Sequence, residues 1–138
     1  MPKSFNVQKD IPNLDGKVIF ITGGNAGIGA ATVRALALHH PTCIYLCARN
    51  TKTAATLVDS IHKTNPKANI TILPLELSSF DSIRKCAEEF NQMSDRLDIL
   101  FLNAGISTTP PTLTQEGYES QFGVNHMGVS KPKSSMVR

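Results

Sequence analysis

Four short apolar runs divide the chain into units of similar length. The runs occupy residues 18–21, 43–48, 70–75 and 97–102. The first run, 18–21, is continuously apolar with β-branched residues, as expected for a strand covered on both faces. Stretches with helical spacing of apolar residues lie between the four runs. Strands that alternate with helices of this length predict βαβ units, an α/β fold and a parallel sheet, for which we expect the strand order 3-2-1-4.

Three helices are predicted to follow the first three strands, each with an apolar face. The predicted faces are Ile28, Ala31, Ala35 and Leu38 for the helix near residues 27–40; Ala54, Leu57, Val58 and Ile61 for the second; and Phe80, Ile83, Ala87 and Phe90 for the third. Pro41 should stop the first helix, and His39 and His40 suit its negative end. Ser78 and Asp81 form a capping-box-like start for the third helix.

Proline and glycine positions mark the limits of the fold. Pro74 lies in the third strand, and because a proline cannot donate to a ladder, this strand should lie at a sheet edge. The polar residues 1–16 end in Asp15-Gly16, so we expect a lead-in arm. A further helix is expected to start near Thr114, after the proline-containing loop 106–113.

A glycine-rich segment joins the first strand to the first helix. Gly23 and Gly24 supply the backbone conformations that a sharp reversal from strand to helix needs. Gly27 and Gly29 have no side chains, so they leave the backbone accessible to a ligand. The free N–H groups of the first helical turn and the helix dipole can then meet a pyrophosphate. An ordinary glycine-rich turn is the alternative. The strand before, the helix after and a diagnostic residue about 20 positions on favour a Rossmann-type dinucleotide-binding site.

The diagnostic residue is Arg49, which lies 20 positions beyond Gly29 at the end of the second strand. An NAD-specific site would hold an acidic residue there for the ribose 2′-hydroxyl, whereas an arginine suits a 2′-phosphate. Lys52 or the N-terminus of the second helix could assist. We therefore predict NADP as the cofactor, with a solvated arginine at a strand end as the alternative.

The amino-acid composition argues against some classes of function for this protein. The 138 residues suggest one domain, and the net charge of +3, with scattered Lys and Arg, does not indicate nucleic-acid binding. No apolar run approaches the length of a membrane span, and residues 1–14 lack an apolar signal region, so we expect a cytoplasmic protein. Cys43, Cys47 and Cys86 lack metal-ligand spacing, and we interpret them as core residues in a reducing compartment.

Two motifs in this order give the sequence a family resemblance. The segment 22–29, Thr-Gly-Gly-Asn-Ala-Gly-Ile-Gly, and the later Asn103-Ala104-Gly105 resemble the hallmarks of the short-chain dehydrogenase/reductases, in particular their retinol-dehydrogenase-like and related fungal members. The resemblance covers roughly residues 17–129. Together with Arg49 and Lys52, it implies a cofactor site made of Gly23, Asn25, Gly27, Ile28, Gly29, Glu76, Leu77, Asn103, Ala104 and Gly105.

The resemblance also assigns individual roles. Glu76-Leu77 corresponds to the family's usual Asp-Leu pair, which contacts the adenine ring, and the longer glutamate can shift the hydrogen bond to the adenine amino group. Asn125 corresponds to the family's catalytic asparagine. Helical spacing places Tyr118, Phe122 and Asn125 on one face, so we expect the amide to turn inward among apolar neighbours. A buried asparagine satisfied by backbone groups is the alternative.

The family's catalytic Tyr-x-x-x-Lys and its preceding serine cannot be placed in this chain. Tyr45 and Tyr118 are the only tyrosines, and neither has a lysine four positions later. Pro132 is expected to break the fourth helix. We interpret residues 1–16 as an arm, 17–129 as an NADP-binding Rossmann half-domain truncated before the fifth strand, and 130–138 as a divergent tail on an interrupted reading frame.

These features predict the NADP(H)-binding portion of a short-chain oxidoreductase, whose relatives interconvert alcohols and carbonyls. A small alcohol or carbonyl substrate is expected only if the missing half is supplied. The alternative is a non-catalytic nucleotide-binding or interaction module that pairs through its open sheet edge. Because the run 99–102 is apolar and β-prone, we expect the isolated chain to self-associate there unless a partner completes the sheet.

Overall fold

The fold is built on one parallel four-stranded sheet. The computed structural model describes residues 4–131, with strands β1 (Val18–Thr22), β2 (Cys43–Ala48), β3 (Ile70–Pro74) and β4 (Ile99–Phe101). All pairings are parallel, and the strand order is β3-β2-β1-β4. This order confirms the predicted α/β class and topology, with the proline-containing strand at an edge.

Helices lie on both faces of this sheet. They are α1 (Val7–Asp10), α2 (Gly27–Ala37), α3 (Thr51–His62), α4 (Phe80–Met93) and α5 (Ser120–Phe122), and α5 continues as a π-helix over Gly123–Gly128. Side chains from α2 and α3 build one core cluster, and side chains from α4 build the other. Within residues 4–131 no helix is long and apolar enough to cross a bilayer.

Alternate residues of the central strands face opposite sides of the sheet. Ile19 and Ile21 of β1 join the core with α2 and α3, whereas Phe20 joins the core with α4. On that second side the ring of Phe90 meets Phe20 and Tyr45 edge-on, with centroids 5.4 and 4.9 Å apart. Burial on both faces explains why the strand sequences are continuously apolar.

The predicted buried face is confirmed for α3 and wrong for α2. α3 buries the predicted set, Ala54, Leu57, Val58 and Ile61. α2 instead buries Gly29, Val33, Leu36 and Ala37, and Ile28 is 78% exposed. Gly29 packs against the backbone at the end of β1. The face of α2 that contains Gly29 therefore contacts the sheet, and Ile28 points to solvent.

The predicted cap of α4 is off by one residue. Ser79, not Ser78, is the N-cap, and its Oγ accepts from the backbone N–H of Ser82 at 3.3 Å. The backbone N–H of Ser78 instead donates to the Glu76 carboxylate at 3.1 Å. The buried face of α4 agrees with the prediction except that Phe80 is only half-buried. A serine pair offers two cap candidates, and only the local turn decides between them.

The N-terminal arm packs against the end of α2 rather than standing free. The Asn6 side chain caps α1 by accepting from the backbone N–H of Gln8 at 2.9 Å. His39 anchors the arm twice, through Nε2 and the carbonyl oxygen of Val7 at 2.8 Å and through its own carbonyl oxygen, which accepts from Leu14 at 2.7 Å. His39 and His40 both follow the end of α2. The role of His39 in anchoring the N-terminal arm was not expected from the sequence.

The last described helix starts later than expected. Both Glu119 carboxylate oxygens cap it, accepting from the backbone N–H groups of Gln121 and Phe122 at 2.9 Å each, and these hydrogen bonds lower the pKa of that carboxyl. Thr114 lies in a preceding turn, so the predicted start near Thr114 is wrong. Helical structure extends to residue 131. The predicted break at Pro132 and most of the predicted tail lie outside the described residues.

Candidate dinucleotide-binding site

A cleft of about 510 Å³ lies at the carboxyl ends of the strands, between the loops that follow β1, β2, β3 and β4. The chain order of the strands reverses next to β1, and ligands of open parallel sheets bind at such a switch point. The predicted cofactor residues that line the cleft are Gly23, Asn25, Gly27, Ile28, Arg49, Glu76, Leu77, Asn103, Ala104 and Gly105. Gly29 and Lys52 do not line it.

The glycine loop after β1 leaves backbone groups facing the cleft. Gly23 and Gly27 have φ values of +66° and +51°, a region that favours glycine. A Cβ on Gly29 would overlap the carbonyl oxygen of Gly23, so the helix can approach the loop this closely only with glycine there. The N-cap residue of α2 is Ala26, which has no side-chain oxygen to cap the first turn. This arrangement fits an anion held by backbone N–H groups.

The loop after β4 is tied to the end of β1. The Asn103 amide donates to the carbonyl oxygens of Thr22 at 3.1 Å and Gly23 at 3.3 Å. The Thr22 hydroxyl accepts from the backbone N–H of Ala104 at 3.0 Å. Thr22 is fully buried and was not predicted as a site residue; a hydroxyl at the end of an otherwise apolar strand is the signal that could have identified it.

A second tie joins the glycine loop to the start of α3. The Asn25 amide donates to the Thr53 hydroxyl at 2.7 Å, and that hydroxyl donates to the carbonyl oxygen of Asn50 at 2.9 Å. The Asn50 side chain caps α3 by accepting from the backbone N–H groups of Lys52 and Thr53 at 3.1 and 3.2 Å. Sequence reasoning missed Asn50 and Thr53, although Asn-Thr before an apolar-periodic run is a helix-start signal.

Arg49 and Glu76 meet at the rim of the cleft. Arg49 Nε lies 3.7 Å from Glu76 Oε2, and the two side chains are 78% and 32% exposed. Lys52 is exposed in the first turn of α3, outside the cleft lining. Leu77 is buried, and its carbonyl oxygen lies so close to Gly128 of the π-helix that a Cβ there would overlap it. The adjacent loop and the last helix are therefore packed together beneath the rim.

Asn125 lies in the π-helix and holds the wall of the cleft. Its Oδ1 accepts from the backbone N–H of Ile106 and its Nδ2 donates to the carbonyl oxygen of Ile106, both at 2.8 Å. The residue is exposed, so the predicted inward turn among apolar neighbours is wrong. Tyr118 lies before the first residue of the helix. The wider turns of the π-helix also point later side chains in directions other than those of an α-helix. For both reasons, helical spacing counted from Tyr118 does not predict the orientation of Asn125.

Neither tyrosine lines the cleft. Tyr45 lies in the core beneath α4, where burial raises the pKa of its phenol. Tyr118 packs instead against the rings of Phe80 and Phe122, with centroids 6.0 and 6.2 Å away. Burial likewise raises the pKa of the Cys47 thiol at the base of the cleft, so this thiol is a poor nucleophile. Among the described residues, neither tyrosine nor the Cys47 thiol is therefore placed or poised to exchange a proton with a ligand in the cleft.

Comparisons with known proteins agree with this architecture. The profile of the short chain dehydrogenase family matches residues 17–137. A short-chain dehydrogenase/reductase of Armillaria gallica is 41% identical over 128 residues, which are 92% of this chain and 41% of that protein. Retinol dehydrogenase 12 of Mus musculus is 36% identical over 115 residues, which are 83% of this chain and 36% of that protein.

Solved structures show the same fold. A protein of Mycobacterium paratuberculosis superimposes with a TM-score of 0.81 at 29% identity, covering 94% of this chain and 44% of that one. The NADP active-site complex of RhlG from Pseudomonas aeruginosa gives a TM-score of 0.74 at 26% identity, covering 91% and 46%. The chain therefore spans less than half the length of these relatives. Within that span, the sequence match, the strand order and the glycine loop show that it belongs to the short-chain dehydrogenase family.

Proposed function

We propose that this chain is the NADP(H)-binding portion of a short-chain oxidoreductase. The observation that carries the proposal is Arg49, whose largely exposed guanidinium stands at the rim of a cleft floored by the glycine loop. An arginine at this strand end suits a ribose 2′-phosphate through charge-assisted hydrogen bonds. The NADP complex of RhlG supports the same cofactor here.

The cleft residues fit the parts of a dinucleotide. The backbone N–H groups at the start of α2 would bind the pyrophosphate, aided by the small residues of the glycine loop. Glu76 and Leu77 would contact the adenine ring, and Lys52 would add positive charge near the 2′-phosphate. The segment 103–105 would line the cleft beside the glycine loop, to which Asn103 is hydrogen-bonded. A bound nicotinamide cofactor supplies the hydride, while these residues bind and orient it.

Turnover of an alcohol or carbonyl needs a group that moves the hydroxyl proton, and general acid/base catalysis of this kind contributes about 10²- to 10⁴-fold. The chain carries no Tyr-x-x-x-Lys segment. We therefore assign small alcohol or carbonyl substrates to this chain only when further sequence supplies that segment. Asn125, which corresponds to the family's catalytic asparagine, contributes here by holding the backbone of Ile106 at the cleft wall.

Calorimetric titration of the purified chain with NADP⁺ and NAD⁺ tests the cofactor assignment. We expect Arg49→Ala to weaken NADP⁺ binding by about 10- to 150-fold, the equivalent of a charge-assisted hydrogen bond of about 1.5–3 kcal/mol, and to change NAD⁺ binding little. Arg84→Ala is the control, because Arg84 is an exposed arginine on α4 that pairs with Asp81 away from the cleft. Equal affinities for the two cofactors, or unchanged NADP⁺ binding in Arg49→Ala, would contradict the proposal.

A non-catalytic nucleotide-binding or interaction module is the second candidate. The observation that favours it is β4, which within residues 4–131 pairs only with β1 and leaves its outer edge without a strand. Such an edge presents unpaired backbone groups to another chain. The two candidates differ in whether a Tyr-x-x-x-Lys segment is encoded directly downstream of the region around Gly128, which sequencing of the locus would decide.

A further inference from the structure

We propose that Glu76 is a specificity-determining residue that lowers the preference of the cleft for NADP(H) over NAD(H), by competing with the ribose 2′-phosphate for Arg49. This inference rests on the proposed function, because it concerns how strongly the same site discriminates between the two cofactors. It assigns to Glu76 a role toward Arg49 in addition to the adenine contact that the family resemblance implies.

The carboxylate of Glu76 is the fixed partner in this ion pair. Its Oε1 accepts from the backbone N–H of Ser78 at 3.1 Å, and the backbone N–H of Glu76 donates to the Ser82 hydroxyl at 2.9 Å. The side chain of Glu76 is 32% exposed, compared with 78% for Arg49. The start of α4 thus holds the acid in place, while the guanidinium extends from a strand end into solvent.

The distance between the two groups defines a loose ion pair. The 3.7 Å separation of Arg49 Nε and Glu76 Oε2 is longer than a hydrogen bond, so the guanidinium retains donors for another anion. A 2′-phosphate that binds Arg49 must share this cation with a carboxylate that the Ser78 backbone N–H holds at 3.1 Å. Because the carboxylate already offsets part of the Arg49 charge, the guanidinium attracts a 2′-phosphate less strongly. This competition weakens binding of the phosphorylated cofactor alone, because NAD(H) carries no 2′-phosphate.

The expected size of the effect follows from the exposure of the pair. Partly exposed ion pairs change affinities by factors of about two to five, because solvent screens the charges. Glu76 therefore moderates the discrimination provided by Arg49 and does not abolish it. We expect this cleft to accept NAD(H) more readily than a cleft with an arginine but no neighbouring acid.

Glu76→Gln tests the proposal on the full chain. Glutamine keeps the side-chain length and an oxygen that can accept from Ser78, but it removes the charge. We expect the ratio of the Kd for NAD⁺ to the Kd for NADP⁺ to rise about two- to fivefold over the unsubstituted chain, measured by calorimetry. Glu88→Gln makes the same charge change on an exposed position of α4 and should leave the ratio unchanged.

Two further variants keep the test decisive. Glu76→Ala, which also loses the Ser78 contact, should raise the ratio in the same direction. In an Arg49→Ala background, the effect of Glu76→Gln should shrink, because the shared cation is gone. A ratio that falls or stays constant in both Glu76 variants would overturn this inference and leave the proposed function standing. Absence of nucleotide binding by the unsubstituted chain would overturn both.

Discussion

Four asparagines show how single residues shape the cleft before any ligand binds. Asn50 caps α3, and the Asn25 amide donates to Thr53 in the same helix turn. The Asn103 amide donates to two carbonyl oxygens near the end of β1. Asn125 bonds both backbone groups of Ile106. Each of these side chains holds a loop or a helix start in position through a hydrogen bond within the chain.

The cap of α4 gives a test at the residue scale. Ser79→Ala should lower the free energy of unfolding by about 1 kcal/mol, because the backbone N–H of Ser82 loses its acceptor. Ser78→Ala is the matched control and should change it by less than about 0.5 kcal/mol, since in the described structure only the backbone of Ser78 makes a hydrogen bond. Urea unfolding followed by circular dichroism measures both. A larger effect for Ser78→Ala would show that the cap is misassigned.

Among the elements, those with a strong apolar period were predictable from sequence. The fully buried central strands β1 and β2 and the α3 face with Leu57 and Ile61 agree with the prediction, because large apolar residues must leave water. The α2 face was not predictable from its many small residues, where the contact of Gly29 with the loop decides the orientation. Asn125 was misplaced because a π-helix cannot be deduced from a 3.6-residue period.

The open edge of β4 gives a prediction at the element scale. Leu102 directly follows this strand and is 37% exposed. We expect the isolated chain to self-associate through the edge, and Leu102→Lys to reduce the association, because a charge at a strand edge opposes pairing with another chain.

Size exclusion coupled to light scattering measures this association as a function of concentration. Leu38→Lys is the control, since Leu38 is 45% exposed and follows α2, away from the sheet edge. A clean monomer with a cooperative thermal transition above about 60 °C would contradict the open-edge prediction. Equal loss of association in both variants would show that general solubility, and not the edge, is responsible.

At the scale of the whole molecule, two clefts of similar size lie at opposite ends of the sheet. The cleft at the carboxyl ends encloses about 510 Å³ and has the glycine loop and Arg49. The other encloses about 550 Å³ and is lined by residues near the start of β1 and by the segment 91–96. Volume alone would favour the second cleft. The chemistry of the lining favours the first cleft for a dinucleotide. Of the two, it is the one at the switch point of the sheet, where the start of α2 has no side-chain cap and Arg49 adds positive charge at the rim.

The most direct test of nucleotide binding at the first cleft is an amide NMR titration of the isotope-labelled chain with NADP⁺. We predict chemical-shift changes concentrated in residues 23–29, at Arg49 and in residues 103–105, with the segment 91–96 of the opposite cleft unchanged. Changes confined to the opposite cleft, or no saturable change at all, would contradict the assignment of this chain as a dinucleotide-binding unit.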